Sequence, residues 1–200
     1  PVHIEFFKDA DATADEKANL VKVLSANDYA ILNHDDHRVL DMKSKTRARV
    51  ITYGFNQEAT IRSSDFEYTN NEEGRPVGVT FKLNESSHFV PVRIEGSLGK
   101  SQAWSAAAAA AVGSIFGMNL VDVAEALVLY HGPKGRLKIL RGIRNSNIID
   151  DTYNASPAST RLALETLRDV PALRRVVVLG DMLELGEHSG KAHHDIGVLA

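Results

Sequence analysis

Apolar and polar positions alternate along this chain with two periods, and the changes of period mark its elements. Between Asp11 and Leu24, Ala14, Ala18, Val21 and Leu24 fall near one helical face, with Asp15, Glu16 and Lys17 by the start. Tyr29–Leu32 is a short apolar run that ends in Asn33-His34-Asp35-Asp36, which predicts a buried strand with a polar loop at its C-terminal end. Val50–Tyr53 repeats that pattern and is closed by Gly54. The period then becomes two. Val77, Val79, Phe81 and Leu83 alternate with more polar neighbours, and so do Val90, Val92 and Ile94. With Asn84–Ser87 between them, these runs predict a hairpin with one buried face. From about Gly99 to Phe116 the chain reads as a helix, with six alanines from Ala106 to Ala111. Alanine is the best helix former and allows close packing, so a buried central helix is expected. Val123, Ala124, Leu127 and Val128 predict one more amphipathic helix.

His131-Gly132-Pro133-Lys134-Gly135 interrupts these patterns and is the best linker candidate. Beyond it, Asn147–Ile149 reads as a strand with Asp150 and Asp151 at its end. Ser156-Pro157 reads as a helix start, Ser as N-cap and Pro at the first helical position. Leu162, Leu164 and Leu167 give that helix an apolar surface. Arg175–Leu179 contains Val176-Val177-Val178, the β-branched run of a central parallel strand, followed by Gly180-Asp181. The segment beyond the linker therefore predicts a βαβ unit.

Composition removes whole classes of function. The chain has 200 residues and no cysteine, which excludes disulfide scaffolds, thiolate metal sites and cysteine nucleophiles. Its formal charge of −3 lacks the basic excess of a nucleic-acid footprint. No apolar run approaches the roughly 20 residues that span a bilayer. Four segments could carry chemistry. Gly99-Lys100-Ser101 follows a strand and opens a helix, but Ile94 stands where a phosphate-cradling loop needs its first glycine, so a helix entry is the expected role. Asp150-Asp151-Thr152-Tyr153-Asn154-Ala155-Ser156-Pro157 sets two carboxylates at a strand end before a capped helix, where open α/β sheets bind ligands. His188, His193 and His194 have no standard metal-ligand spacing and read as a solvated helical face. His3 and Glu5 alone carry no assignment.

The string Asp150–Pro157 resembles the Asp-Asp-Ser-Tyr-Asn-Ala-Asn-Pro signature found in the Mur ligase family of peptidoglycan synthesis. Val178–Glu187 is similar to a second signature of the same branch, and His193 falls where that branch commonly has a His. Asn33–Asp36 is similar to the family's Asn-Ala-Asp-Asp loop, and Pro1–Phe7 to its Pro-Ala-His-Leu-Glu-Gly-Phe segment. The likeness spans the chain and is weakest from about Asn56 to Leu98.

The resemblance implies an α/β fold in two parts. Residues 1–132 would be the latter portion of a P-loop-type central domain, with a parallel sheet plus an antiparallel hairpin, and 133–200 the start of a Rossmann-like C-terminal domain. It implies ATP and Mg²⁺ as cofactors, and an ADP-forming ligase that joins D-alanyl-D-alanine to a UDP-N-acetylmuramoyl-tripeptide in the cytoplasm, monomeric when full length. By the same resemblance His3 and Lys17 (as a carbamate) would hold Mg²⁺. Arg136 would contact ATP phosphates, and Asp151, with Tyr153 and Asn154, the nucleotide. Gln102 and Ser105 replace two asparagines of the family's adenine-side segment. The family's P-loop, its Mg²⁺-binding Glu and its UDP-sugar domain would precede Pro1, so the chain is expected to be an internal fragment, inactive as a ligase alone. Two alternatives stay open: a ligase of the folylpolyglutamate or cyanophycin synthetase type, and a non-catalytic nucleotide-binding module.

Overall fold

The computed structural model of the chain describes residues 9–200. Helix α1 (Ala10–Lys22) starts at Asp9, whose carboxylate accepts the Ala12 N–H. Its Ala18, flanked by Ala14 and Val21, joins a small core with Ala30 and Leu32 of β1 (Tyr29–Asn33) and with Met42. The short helix α2 (His37–Leu40) and a 3-10 turn (Asp41–Lys45) carry the chain into β2 (Arg49–Gly54), parallel to β1.

The sheet order is β1-β2-β3-β4-β5. β3 (Ile61–Asn70) meets β2 in parallel over only Tyr53–Ile61 and Gly54–Arg62. It then pairs antiparallel with β4 (Pro76–Glu85), which pairs antiparallel with β5 (His88–Glu95). The hairpin signal of β4 and β5 is borne out: Val79, Phe81, Leu83, Val92 and Ile94 are all buried. β3 is an addition to the predicted elements. Its inward positions include Ser63, buried because its hydroxyl donates to the Ala103 carbonyl oxygen at 3.1 Å.

Helix α3 (Ser101–Ile115) covers this sheet with Ala103, Ala106, Ala107, Ala110 and Ala111, a helical-period stripe that is almost fully buried. Helix α4 (Leu120–Val128) begins with a capping box between Asn119 and Asp122 and buries Leu120 and Val123.

Past the linker, β6 (Lys138–Arg141) pairs antiparallel with β7 (Asn147–Asp150). The Leu98 N–H donates to the Leu137 carbonyl and the Ile139 N–H to the Gly96 carbonyl, which ties this pair to the segment after β5. Helix α5 (Pro157–Asp169) starts as predicted, with Ser156 as N-cap and Pro157 in the first turn. Its Leu164 packs with Met182, Leu185 and Ile196 of α6 (Ser189–Leu199).

One expectation fails. Arg175–Leu179 is not a strand, and residues 171–185 contain neither helix nor strand. Val178 is 91% exposed. The predicted βαβ unit is therefore not formed among the described residues. A β-branched run favours extended backbone, but a strand exists only through ladder partners. β6 pairs with β7, and no described strand pairs with Arg175–Leu179. No described helix is long and apolar enough to cross a membrane.

Candidate functional site

The linker brings a cation, an aromatic ring and two carboxylates into one turn. Gly135 and Leu137 both have positive φ, +69° and +51°, and turn the chain on either side of Arg136. A Cβ at Gly135 would lie 2.8 Å from the Tyr153 nitrogen, so the close approach requires glycine there. The Tyr153 N–H donates to the Gly135 carbonyl at 3.1 Å. The paired aspartates clamp the same turn: Asp150 accepts the Gly135 N–H at 3.2 Å and Asp151 the Leu137 N–H at 3.1 Å. The Arg136 guanidinium then lies over the Tyr153 ring, 4.1 Å from its centre. Both side chains face solvent.

The two carboxylates are tuned in opposite directions. A hydrogen bond from the Thr152 hydroxyl, 2.7 Å, leads in holding Asp150 below its ordinary range. Asp151 is pushed up, chiefly because burial penalises its charge; the Leu137 N–H and the Arg136 charge oppose that. Asn154 turns its carbonyl oxygen to the Ala155 N–H at 2.8 Å.

Gln102 is the second residue of α3 and is 5% exposed. Its amide nitrogen reaches the Leu98 carbonyl at 3.5 Å, and its Oε1 has no hydrogen-bond partner. An acceptor left unpaired in the interior is costly unless a further donor arrives. Since Leu98 is itself bonded to Leu137, the start of α3 and the Arg136 turn are neighbours. Ser105 is exposed on the same helix. Gly99-Lys100-Ser101 is a helix entry, as expected, with Gly99 at φ +85° and Lys100 in the cap position.

The structure thus brings Arg136, Asp151 and Tyr153 into one turn, with Asn154 next in the chain, and links Gln102 to that turn through Leu98. Lys17 stands on α1, exposed and without an ion pair or hydrogen bond among the described residues, while nearby Asp15 and Asp11 pair with Lys45 and Arg38. His3 and Glu5 lie outside the described residues. No cluster of three His, Cys, Asp or Glu suited to a metal occurs among the described residues. His188 and His194 are exposed, but His193 is more than a solvated group. Its Nε2 accepts the Met182 N–H at 3.1 Å and its Nδ1 lies 2.8 Å from the Ser189 carbonyl oxygen, so it pins α6 to the preceding loop. The sequence marks Asp35 only as part of the Asn33–Asp36 loop and gives it no role of its own, yet its carboxylate takes N–H groups from Phe55, Asn56 and Trp104.

A mixed sheet beneath an alanine-rich helix, joined by a clamped turn to a second α/β unit, defines a two-part α/β protein with its candidate site at the junction. The chain belongs to the Mur ligase family: the Mur ligase middle domain matches residues 1–113, and the Mur ligase, glutamate ligase domain matches residues 135–200. It is 31% identical over 198 residues to the UDP-N-acetylmuramoyl-tripeptide–D-alanyl-D-alanine ligase of Escherichia coli, covering 99% of this chain and 42% of that protein. A crystal structure of MurF from Acinetobacter baumannii superimposes with a TM-score of 0.86 at 26% identity, over 99% of this chain and 42% of the other. The fold is shared with the MurF ligase of Thermotoga maritima in complex with ADP, with a TM-score of 0.82 at 24% identity, over 98% and 43% of the two chains. The chain thus spans about two fifths of the length of the relatives it matches.

Proposed function

We propose that this chain is part of an ATP-dependent ligase that joins D-alanyl-D-alanine to a UDP-N-acetylmuramoyl-tripeptide, working in the cytoplasm as a monomer. The tripeptide carboxylate attacks the γ-phosphorus of ATP and ADP leaves, giving an acyl phosphate. The D-alanyl-D-alanine amine then adds to the acyl carbon, loses its proton and expels phosphate, forming the amide. Catalysis of this kind is mainly positioning and charge stabilisation.

The observation that carries the reading is the clamped turn. Arg136 is held over Tyr153 by a backbone that Asp150 and Asp151 fix, so an exposed, bidentate cation is poised for phosphate oxygens. The unpaired Oε1 of Gln102 suits the exocyclic amine of adenine, and its neighbour on α3, Ser105, completes that side. The MurF ligase of Thermotoga maritima that shares this fold was solved in complex with ADP, which agrees with a nucleotide as the ligand. Tyr153 and Asn154 border it, and Asp151 supplies an acceptor for the ribose.

Lys17 and His3 are the residues proposed to hold Mg²⁺. An exposed Lys17, unpaired among the described residues, is open to carbamylation, which would turn a cation into the oxygen ligand a hard metal ion requires. The ion supplies neutralisation of phosphate charge. Residues 1–132 belong to the central domain and 133–200 to the C-terminal one, with closure about His131–Gly135 bringing their walls together.

The test is ATP-dependent phosphate release by the full-length ligase, with D-alanyl-D-alanine compared against glutamate and aspartate as acceptor. Only D-alanyl-D-alanine is expected to support turnover. Arg136→Ala is expected to lower kcat/KM about a hundredfold, with no rescue by Arg136→Lys. Turnover with glutamate instead, or an unaffected Arg136→Ala enzyme, would sink the reading.

A further inference from the structure

We propose that Asp35 is a positioning residue for nucleotide binding: a carboxylate that locks the first turns of α3 onto the loops at the C-terminal ends of the parallel strands β1 and β2. The proposal rests on the assignment of Gln102 and Ser105 to the adenine side. Asp35 itself touches no nucleotide and acts through α3.

Three donors from two distant segments converge on this one side chain. Its Oδ2 accepts the Phe55 N–H at 2.7 Å and the Trp104 indole N–H at 2.6 Å, and its Oδ1 accepts the Asn56 N–H at 2.9 Å. Trp104 lies between Gln102 and Ser105 on α3, so the bond to its ring fixes the rotation of that turn. The Trp104 ring also meets Phe55 edge-on at 5.5 Å, and Phe55 meets Phe66 in the same way at 6.3 Å. The approach is built into the backbone as well. A Cβ at Gly54 would fall 2.6 Å from Asp35 Oδ1, so any larger residue at position 54 displaces the carboxylate.

The chemistry demands a carboxylate. Ionised Asp offers acceptors on both oxygens, whereas Asn offers one and presents an NH₂ group on the other. In either orientation, Asn at this position sets that NH₂ against at least one N–H that now has an acceptor. Hydrogen bonds to a charged acceptor are about twice as strong as neutral ones, and misplacement by about 1 Å is enough to weaken a binding site severely. The location fits the role, because ligands of open α/β sheets sit outside the carboxyl ends of parallel strands, where β1 and β2 deliver Asp35 and Phe55.

The experiment measures KM for ATP, KM for D-alanyl-D-alanine, and kcat in the full-length ligase. The variants are Asp35→Asn, Asp35→Glu, Trp104→Phe and Gln102→Ala. Asp35→Asn is expected to raise KM for ATP about tenfold, leaving KM for D-alanyl-D-alanine within about twofold and kcat within about threefold. Asp35→Glu keeps the acceptors and is expected to recover part of that loss. Trp104→Phe removes one donor while keeping an aromatic ring against Phe55, and is expected to raise KM for ATP about threefold. A rise with Gln102→Ala but none with Asp35→Asn and Trp104→Phe overturns the positioning role and leaves the adenine-side reading standing. No rise with any variant removes the adenine-side reading, and the proposal falls with it. A general fall in kcat with all KM values unchanged marks Asp35 as merely structural and also overturns the proposal.

Discussion

Val79 and Val178 are the same residue in opposite circumstances. In β4, Val79 is fully buried between paired strands and beneath α3. In the second part, Val178 is 91% exposed in a segment with no strand beside it. Burying a valine side chain is worth about 1.5–3 kcal/mol, yet that energy is available only where a ladder and a covering layer exist. β4 has β3 on one side and β5 on the other. Arg175–Leu179 has neither, since no described strand pairs with it. Intrinsic preference for extended backbone is therefore a condition for a strand and not its cause.

The largest predicted effect breaks or sustains this contrast directly. Phe81→Ala, at the 1% exposed centre of the main core, is expected to cost about 3–5 kcal/mol by chemical denaturation. Val178→Ala is expected to change stability by less than about 0.5 kcal/mol. Hydrogen exchange gives the same division, with amides of β4 protected and those from Arg175 to Leu179 exchanging freely. Comparable losses from the two substitutions would show that Val178 is packed after all.

A smaller effect asks whether the two parts share one cooperative unit. Asn119 caps α4 in the first part and Ser156 caps α5 in the second, each by a capping box. Ile139 of β6, Ile149 of β7 and Val170 after α5 pack into the main core cluster. Asn119→Ala and Ser156→Ala are therefore each expected to cost about 1 kcal/mol on a single shared unfolding transition. Two transitions, with Ser156→Ala moving only one of them, would make the halves independent.

Signals that are local in the chain were legible. The alternation of Val77–Leu83, the alanine stripe of α3 and the Ser156-Pro157 start need only neighbours in sequence, and each appears as read. β3 was not legible, because its inward Ser63 is admitted by a hydroxyl bond to Ala103, 40 residues away. Arg175–Leu179 misled for the complementary reason: the residues are right for a strand and the partner is missing. The same division holds at the site. Asp150–Asn154 announced itself as a dense string, whereas the Asn33–Asp36 loop marked Asp35 without a role, because that role depends on Trp104, 69 residues on. The resemblance placed Gln102 on the nucleotide side, but its unpaired Oε1 could be known only from the packing around it.

The smallest predicted effect lies within the clamped turn, where adjacent carboxylates should carry opposite signs. Asp151 has its folded pKa raised above the ordinary 3.8, mainly by burial. Its stabilising contribution is therefore complete below about pH 3.8 and is lost as pH rises through the raised value. Near pH 7 the ionised group costs stability, so Asp151→Asn, which keeps a carbonyl oxygen for the Leu137 N–H, is expected to raise Tm slightly. That gain should vanish on acidification toward pH 3. Asp150 is held below 3.8, chiefly by the Thr152 hydroxyl, so its contribution is present above 3.8 and lost as pH falls through the lowered value. Asp150→Asn is accordingly expected to lower Tm near pH 7, by a small amount given its exposure to solvent screening. Melting curves of the two variants across that range, each against the unmodified chain, give the check. Matching signs would show that burial does not set the Asp151 carboxyl apart. Opposite signs would mean that the turn keeps one carboxylate for its own stability and tolerates the other at a cost, as expected of a group retained for a ligand.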